Sequence, residues 1–223
     1  MRQLLFSILI STITIPGFSQ TQKLLPRDEY KKDSSLAEFV DKLKIAIKSK
    51  NKQFIISVLD KDIKNSFGGD DGIEEFKQMW TFNSSNSDLW KTMEKIINYG
   101  GVFINTKESR HQFVFPYIFT LDLKNSDDYF SVMVVTIGKL KVKEKPDLNS
   151  KIVGELSYDV VWTEYSDEFR PLIEAEGWTY IRTLDKKIIG YVQSEYLYSP
   201  IGYRMFLDKI DNKWRITSLV AGD

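Results

Sequence analysis

Hydrophobic residues between positions 35 and 98 recur every three or four residues, which is the spacing of one helix face. Four helices are predicted, beginning at Ser35, Asn51, Asp71 and Ser87. Residues 35–38 have the pattern of a capping box with Ser35 as the N-cap, and Asp71 with Glu74 repeats this pattern. The second helix is predicted to end near Asp60. The fourth should end at Gly100, because glycine permits the left-handed conformation of a C-terminal cap.

The hydrophobic period then changes to that of strands. Residues 102–104 and 111–121 are predicted strands, and Pro116 inside the second indicates an edge position or a bulge, because proline lacks the backbone N–H. Residues 203–210 and 213–221 form a predicted hairpin around a two-residue turn. A lone hairpin is not stable in water, so we expect it to complete the sheet of the N-terminal region.

Short β-rich segments, separated by proline and glycine, occupy residues 139–198. Their opening Leu140-Lys141-Val142-Lys143 and the later Gly177-Trp178 resemble the bacterial SH3 (SH3b) family. The resemblance implies a small β-barrel of a kind that usually binds a ligand and rarely catalyses a reaction. We expect Trp178, Tyr191 and Leu197 to fill its core, since aromatic and aliphatic side chains dominate small cores.

Together these segments predict an α+β fold: an N-terminal helical region and an antiparallel sheet completed by a C-terminal hairpin, with an SH3b-like small β-barrel. The predicted order is a signal peptide (1–20), a flexible N-terminus (21–33), a helical or α+β domain (34–124), the barrel (130–198) and the returning hairpin (199–223). Residues 204–216 are similar to the closing hairpin of NTF2-like folds. The whole layout resembles secreted bacterial proteins that combine such a region with an SH3b domain.

The first residues have the composition of a secretory signal peptide, with Arg2 followed by an apolar run. That run is too short to span a bilayer, and cleavage is expected near Gln20. We therefore expect a periplasmic or secreted bacterial protein with no membrane span after signal removal; the alternative is an uncleaved membrane anchor. The chain has no cysteine, so its stability must come from its core and not from disulfides.

The balance of charges disfavours nucleic acid as a partner. Lysine plus arginine number 31, as do aspartate plus glutamate, so no basic excess favours binding to nucleic acid. With the expected export and the SH3b resemblance, the partner is predicted to be a cell-wall peptide or glycan, or an envelope protein. No cofactor is predicted.

The connection that precedes Trp178 is longer than the one usual in the SH3b family. It combines Trp162, Tyr165 and Phe169 with five acidic residues between positions 162 and 177. Loops on rigid scaffolds often carry binding residues, and aromatic anchors with polar neighbours are typical of binding surfaces. These three residues are therefore the candidate ligand-binding lip. The alternative is that the loop packs over the neighbouring domain.

The residue types disfavour most hydrolytic chemistry, and no catalytic or metal-binding residue is assigned. Without cysteine and with His111 as the one histidine, thiol peptidase and multi-histidine zinc sites are excluded. A two-carboxylate cell-wall hydrolase remains an alternative, although helix capping accounts for Asp71 and Glu74. A third possibility is an NTF2-like small-molecule pocket, lined by Trp80, Trp90 and Tyr117.

Overall fold

The computed structural model of the chain describes residues 21–69, 71–104, 112–123, 128–163 and 176–222. Within these residues the fold is mixed α+β, with four α-helices and two β-sheets. All four predicted helices are present. Their bounds are α1 Ser34–Lys48, α2 Lys52–Val58, α3 Ile73–Met79 and α4 Leu89–Asn98.

The N-cap of helix α1 is Asp33, two positions before the predicted N-cap Ser35. The Asp33 carboxylate accepts hydrogen bonds from the Leu36 backbone N–H at 2.9 Å and from the Ser35 hydroxyl at 2.6 Å. The Ser35 hydroxyl in turn accepts from the Trp214 indole N–H at 2.9 Å. Ser35 therefore joins the helix to the C-terminal hairpin, while the neighbouring carboxylate takes the capping role.

Helix α2 ends earlier than predicted, since the chain turns into strand β1 (Leu59–Lys64). The sequence analysis missed this strand, which pairs in parallel with the last strand of the chain. Only Leu59 and Ile63 within it are buried, too few positions for a clear strand pattern. Asp71 is also misassigned as an N-cap. Gly72 occupies that position, and the Asp71 carboxylate instead accepts from the Asn65 backbone N–H at 3.3 Å.

The first sheet has the strand order β1-β12-β11-β3-β2. Its further strands are β2 Val102–Ile104, β3 Gln112–Phe115, β11 Arg204–Ile210 and β12 Lys213–Val220. The C-terminal hairpin does return to the N-terminal region, because β11 pairs antiparallel with β3. The expectation for Pro116 is wrong: β3 lies inside the sheet, between β11 and β2, and ends at Phe115. Pro116 thus terminates the strand and opens a 3₁₀ turn, Tyr117–Thr120.

The second sheet has seven strands in the order β10-β4-β7-β8-β9-β5-β6. Their bounds are β4 Val132–Val135, β5 Leu140–Lys143, β6 Ile152–Leu156, β7 Val160–Thr163, β8 Trp178–Thr183, β9 Ile189–Gln193 and β10 Leu197–Tyr198. Strands β10 and β6 form the two edges. Among the described residues no pairing joins these edges, so the sheet is open and no closed barrel is found.

Strand β4 contributes to two hydrophobic cores. Val132 and Val134 pack into the main core with the helices and the first sheet, whereas Met133 and Val135 face a smaller core inside the second sheet. This division follows from the alternation of side chains along a strand. The two sheets are therefore joined by shared packing and not only by the chain.

The expectation that Trp178 fills the core of the second sheet is wrong. Trp178 is only half-buried and lies outside both cores. The residue of β8 that fills the smaller core is Ile181, at 0% exposure. Leu197 is buried in the smaller core, as expected, whereas Tyr191 is buried but belongs to neither core. Trp178 is the first residue of β8, and the first three residues of this strand are all only partly buried.

Residues 22–29, which we call the N-terminal strap, lie within the segment expected to be flexible and make several contacts with the rest of the fold. The Gln22 carbonyl accepts from the Val160 N–H at 2.8 Å, and the Glu29 N–H donates to the Gly101 carbonyl at 2.8 Å. Lys23 forms an ion pair with Asp159 at 2.9 Å, and the Asp159 side chain is only 4% exposed. The strap thus contacts the second sheet at one end and the helical region at the other.

Replacement of the α1 cap should reduce stability in a pH-dependent way. The hydrogen bond from the Ser35 hydroxyl, and then that from Leu36, lowers the pKa of Asp33 below its usual range. This stabilisation is present above the unfolded-state pKa of about 3.9 and is lost as the pH falls through the folded-state value. Asp33→Ala should lower the free energy of unfolding by about 1 kcal/mol at neutral pH in urea titrations. Asp33→Asn should retain most of this stabilisation and lose its acid dependence. Equal stability of Asp33→Ala and the parent chain would contradict the capping role of Asp33.

Gly190 is expected to be intolerant of a side chain. A Cβ there would lie 2.4 Å from the Lys143 carbonyl oxygen, where β5 and β9 meet. Gly190→Ala should therefore separate these strands and lower the free energy of unfolding by about 1–3 kcal/mol. Gly138→Ala is the control, because its added Cβ would have no neighbour closer than 3.9 Å. Urea unfolding followed by circular dichroism measures both, and similar losses in the two variants would refute the close approach.

Candidate functional site

The predicted lip is described only in part. Trp162 lies in β7, half-buried, and packs against the main core. The Arg182 guanidinium carbon lies 5.5 Å from its ring centroid. Tyr165 and Phe169 lie outside the described residues, as does His111. A binding role for the lip therefore stays a prediction. Among the described residues, the recesses beside helix α4 form a second candidate site.

Two recesses border helix α4, and together we call them the α4 cleft. The first, of about 420 Å³, lies between the end of α3, the start of α4 and Tyr203, and the second, of about 340 Å³, lies between α4 and the second sheet. Both recesses are lined by Thr92 of α4 and by Tyr203, the residue that precedes β11. Clefts between packed units are common ligand sites, because they combine side chains from separate elements.

Helix α4 sets the polar wall of the cleft through its amphipathic pattern. Its apolar face is buried in the main core and consists of Leu89, Trp90, Met93, Ile96 and Ile97. The remaining face places Lys91 and Thr92, and then Lys95, along the cleft. Lys91 and Lys95 are four residues apart, so they lie on adjacent turns of the same side of the helix.

Aromatic rings form the other wall. The ring centroids of Trp80 and Tyr203 are 5.0 Å apart in the first recess. In the second recess, Tyr198 donates a hydrogen bond from its hydroxyl to the Tyr203 carbonyl oxygen at 2.6 Å. The Trp80 indole N–H is buried, and no acceptor among the described residues hydrogen-bonds to it. Trp80 and Tyr198 are 6% and 9% exposed, so Tyr203, which is half-buried, is the ring of this wall that a ligand can reach most readily.

The charges in the cleft are unevenly distributed. Burial, and then the neighbouring charge of Lys91, lowers the pKa of Lys95, whereas Glu195 opposes this shift. The Lys95 ammonium lies 5.4 Å from the centroid of the Tyr198 ring. Burial also raises the pKa of Tyr198 above its usual range, so its hydroxyl stays a neutral donor. Two cations held close to one another favour an anionic ligand between or beside them.

Hydroxyl side chains complete the lining of the second recess. Thr179 and Ser194 approach each other at 2.7 Å between their hydroxyl oxygens, and Ser199 lies on the same recess. The described lining of the two recesses includes a single carboxylate, that of Asp88. Within the described residues, no three histidine, cysteine, aspartate or glutamate side chains are placed to hold a metal ion. The arrangement is suited to hydrogen bonding and charge recognition.

The pocket predicted from Trp80, Trp90 and Tyr117 does not form as expected. Trp80 lines the cleft, but Trp90 packs against Phe82 with ring centroids 6.0 Å apart. Tyr117 is 2% exposed, and its hydroxyl donates to the Leu24 carbonyl at 3.3 Å. Neither of these two residues lines the cleft.

The sequence analysis missed Lys91, Lys95, Tyr198 and Tyr203 as site residues. The lysine pair could have been predicted from the sequence, because the two positions lie one turn apart opposite the apolar face of α4. The two tyrosines had none, since their position depends on how the second sheet packs against the helix.

Tyr198→Phe should remove one hydrogen bond from the aromatic wall and keep the aromatic ring at position 198. Loss of the hydrogen bond to Tyr203 should lower the free energy of unfolding by about 1 kcal/mol. Tyr196→Phe serves as the matched control, since its hydroxyl takes no part in this contact, and it should unfold like the parent chain. Urea unfolding followed by tryptophan fluorescence measures the difference; equal stability of both variants would show that the hydrogen bond does not hold the wall.

The role of this cleft is inferred from its own residues. No family model matches the chain, and no curated protein matches it at a significant level. No helix in the described part of the chain has the length and apolar character needed to cross a membrane.

Proposed function

We propose that the protein is a non-catalytic binding protein of the bacterial cell envelope and that the α4 cleft holds its ligand. The observation that carries this proposal is the placement of Lys91 with Tyr203 in the first recess and of Lys95 with Tyr198 and Tyr203 in the second. Helix α4, Trp80 and Tyr198 share one hydrophobic core, and Tyr203 packs against it, which keeps this part of the site preformed.

Among the expected partner classes, the lining favours a glycan that carries carboxylate groups. Sugar rings present apolar C–H faces that suit aromatic side chains, and their hydroxyls pair with the hydroxyls of Thr92, Thr179 and Ser194. Carboxylates on the same ligand would meet Lys91 and Lys95. A cell-wall glycan combines these features, which agrees with the partner predicted from the sequence.

A binding role fits this site better than hydrolysis. Glycoside hydrolysis uses two carboxyl groups on either side of the scissile bond. The described lining of the cleft includes Asp88 alone, beside the cation of Lys91 in the same recess. This composition supports retention of a ligand and gives no support to a two-carboxylate mechanism.

We also propose that strands β5–β9 are an SH3b-like unit. Strand β5, the first of this set, pairs with β9, the last, as a small barrel would require. Strands β7, β8 and β9 follow each other in antiparallel order. The unit departs from a closed barrel because β6 remains an edge, and β4 extends the sheet beyond β7.

Export remains part of the proposal. The signal-peptide composition of residues 1–20 supports a periplasmic or secreted location, where cell-wall glycans are accessible.

The binding proposal is tested with soluble peptidoglycan fragments and isothermal titration calorimetry. Replacing both lysines (Lys91→Gln with Lys95→Gln) should weaken binding about tenfold, because two partly screened charge contacts are lost. Binding by the parent chain should also weaken as salt is added. Chitotetraose, a neutral oligosaccharide of the same hexosamine type, should bind more weakly than the acidic fragments.

The matched control changes two exposed lysines away from the cleft, Lys141→Gln with Lys145→Gln. It has the same net charge as the cleft variant and should bind like the parent chain. Equal weakening in the two double variants, or equal affinity for chitotetraose and the acidic fragments, would overturn the proposal.

A further inference from the structure

Asp88 is the one residue in the described lining of the α4 cleft that disfavours an acidic ligand. It lines the first recess together with Lys91, and it is exposed. A carboxylate at this position repels the acidic groups that the two lysines of the cleft attract. Its presence in the lining therefore requires an explanation of its own.

Helix capping does not account for Asp88. The residue occupies the N-cap position of α4, but its backbone is helical (φ −70°, ψ −10°) and its side chain makes no capping hydrogen bond. The Ser87 hydroxyl instead accepts from the Leu89 N–H at 3.3 Å. The negative charge of Asp88 still favours the helix dipole, which affects the stability of the helix and not the choice of ligand.

The Asp88 carboxylate is available to a ligand. Within the described residues, no hydrogen bond or ion pair engages this carboxylate or the Lys91 ammonium. The two residues are three positions apart on α4, so they are neighbours on the helix surface. The first recess thus presents one charge of each sign.

Apolar surface lies next to these charges. Met79, the last residue of α3, is 40% exposed and lines the first recess. The Tyr203 ring is half-buried in the same recess, with its centroid 5.0 Å from that of Trp80. Methylene groups of a ligand can pack on this surface, and an ammonium near the Tyr203 ring gains a cation–π attraction.

We propose that the first recess binds a primary ammonium group carried on a short methylene chain, as in the side chain of a lysine residue. The ammonium meets the Asp88 carboxylate, and the methylene chain packs on Met79 and Tyr203. The volume of this recess, about 420 Å³, lies within the range of small-molecule pockets. The proposal rests on the proposed function, because the ammonium belongs to a peptide attached to the acidic glycan.

Calorimetry with two muramyl tripeptides tests this site. Both end in lysine, and one carries an Nε-acetyl group that removes the ammonium. The parent chain should bind the free amine about threefold or more tightly, because only this ligand pairs with Asp88 and Tyr203. Recognition by Lys91 and Lys95 alone predicts the reverse, since acetylation makes the ligand more negative. Equal affinity for the two tripeptides, tighter binding of the acetylated one, or no binding of either would overturn the proposal.

Asp88→Asn and Glu94→Gln form a matched pair of variants on α4. Each removes one negative charge from an exposed residue, and Glu94 is outside the described lining of both recesses. Asp88→Asn should abolish the preference for the free amine, whereas Glu94→Gln should keep it. An unchanged preference in Asp88→Asn, even with weaker binding of both tripeptides, or an equal loss of preference in the two variants, would refute the role of Asp88.

Amine-acetylated peptidoglycan fragments separate this proposal from the glycan site. They have lost their ammonium groups and still carry the carboxylates that Lys91 and Lys95 attract. If the parent chain binds them and the lysine double variant binds them about tenfold more weakly, the glycan site stands even where the tripeptides overturn the ammonium site. Failure of the parent chain to bind either acetylated or unmodified fragments would overturn both.

Discussion

Strand β11 lies between β3 and β12 in the first sheet. This position constrains the path of the whole chain segment that connects β3 to β11. The chain leaves the first sheet at Phe115 and has to return to the neighbouring strand at Arg204. The second sheet is built within that excursion, and its strands β4 and β10 pair with each other near the two ends. The two ends of this chain segment are therefore held side by side. Shared packing through Val132 and Val134 fixes the second sheet against the helices.

The start of β11 also separates two recesses of the surface. Tyr203 lines the α4 cleft, whereas Arg204, the next residue, lines a recess on the first sheet. Successive side chains of extended backbone point to opposite sides, so one short segment supplies a wall to each recess. The linings differ as well: hydroxyls and lysines border the α4 cleft, while the Phe67 and Phe119 rings lie against the Arg204 guanidinium.

Local patterns in the sequence predicted local structure well. The helical period located all four helices, and the two-residue turn at Asp211 and Asn212 located the hairpin that rejoins the first sheet. The predictions that failed depend on tertiary contacts. Ser35 accepts a hydrogen bond from Trp214 while Asp33 caps the helix, and Trp178 lies outside both cores in a second sheet that is open where a barrel was expected. The cleft was missed for the same reason, since its walls meet only after the two sheets have packed.

The pairing of β1 with β12 joins the first strand of the chain to the last. During synthesis, every strand of the second sheet emerges before β11 and β12 exist. The second sheet can therefore assemble before the first, whereas the first sheet has to wait for β11 and β12. A chain that emerges from its N-terminus would thus keep its first sheet incomplete until all seven strands of the second sheet had already emerged.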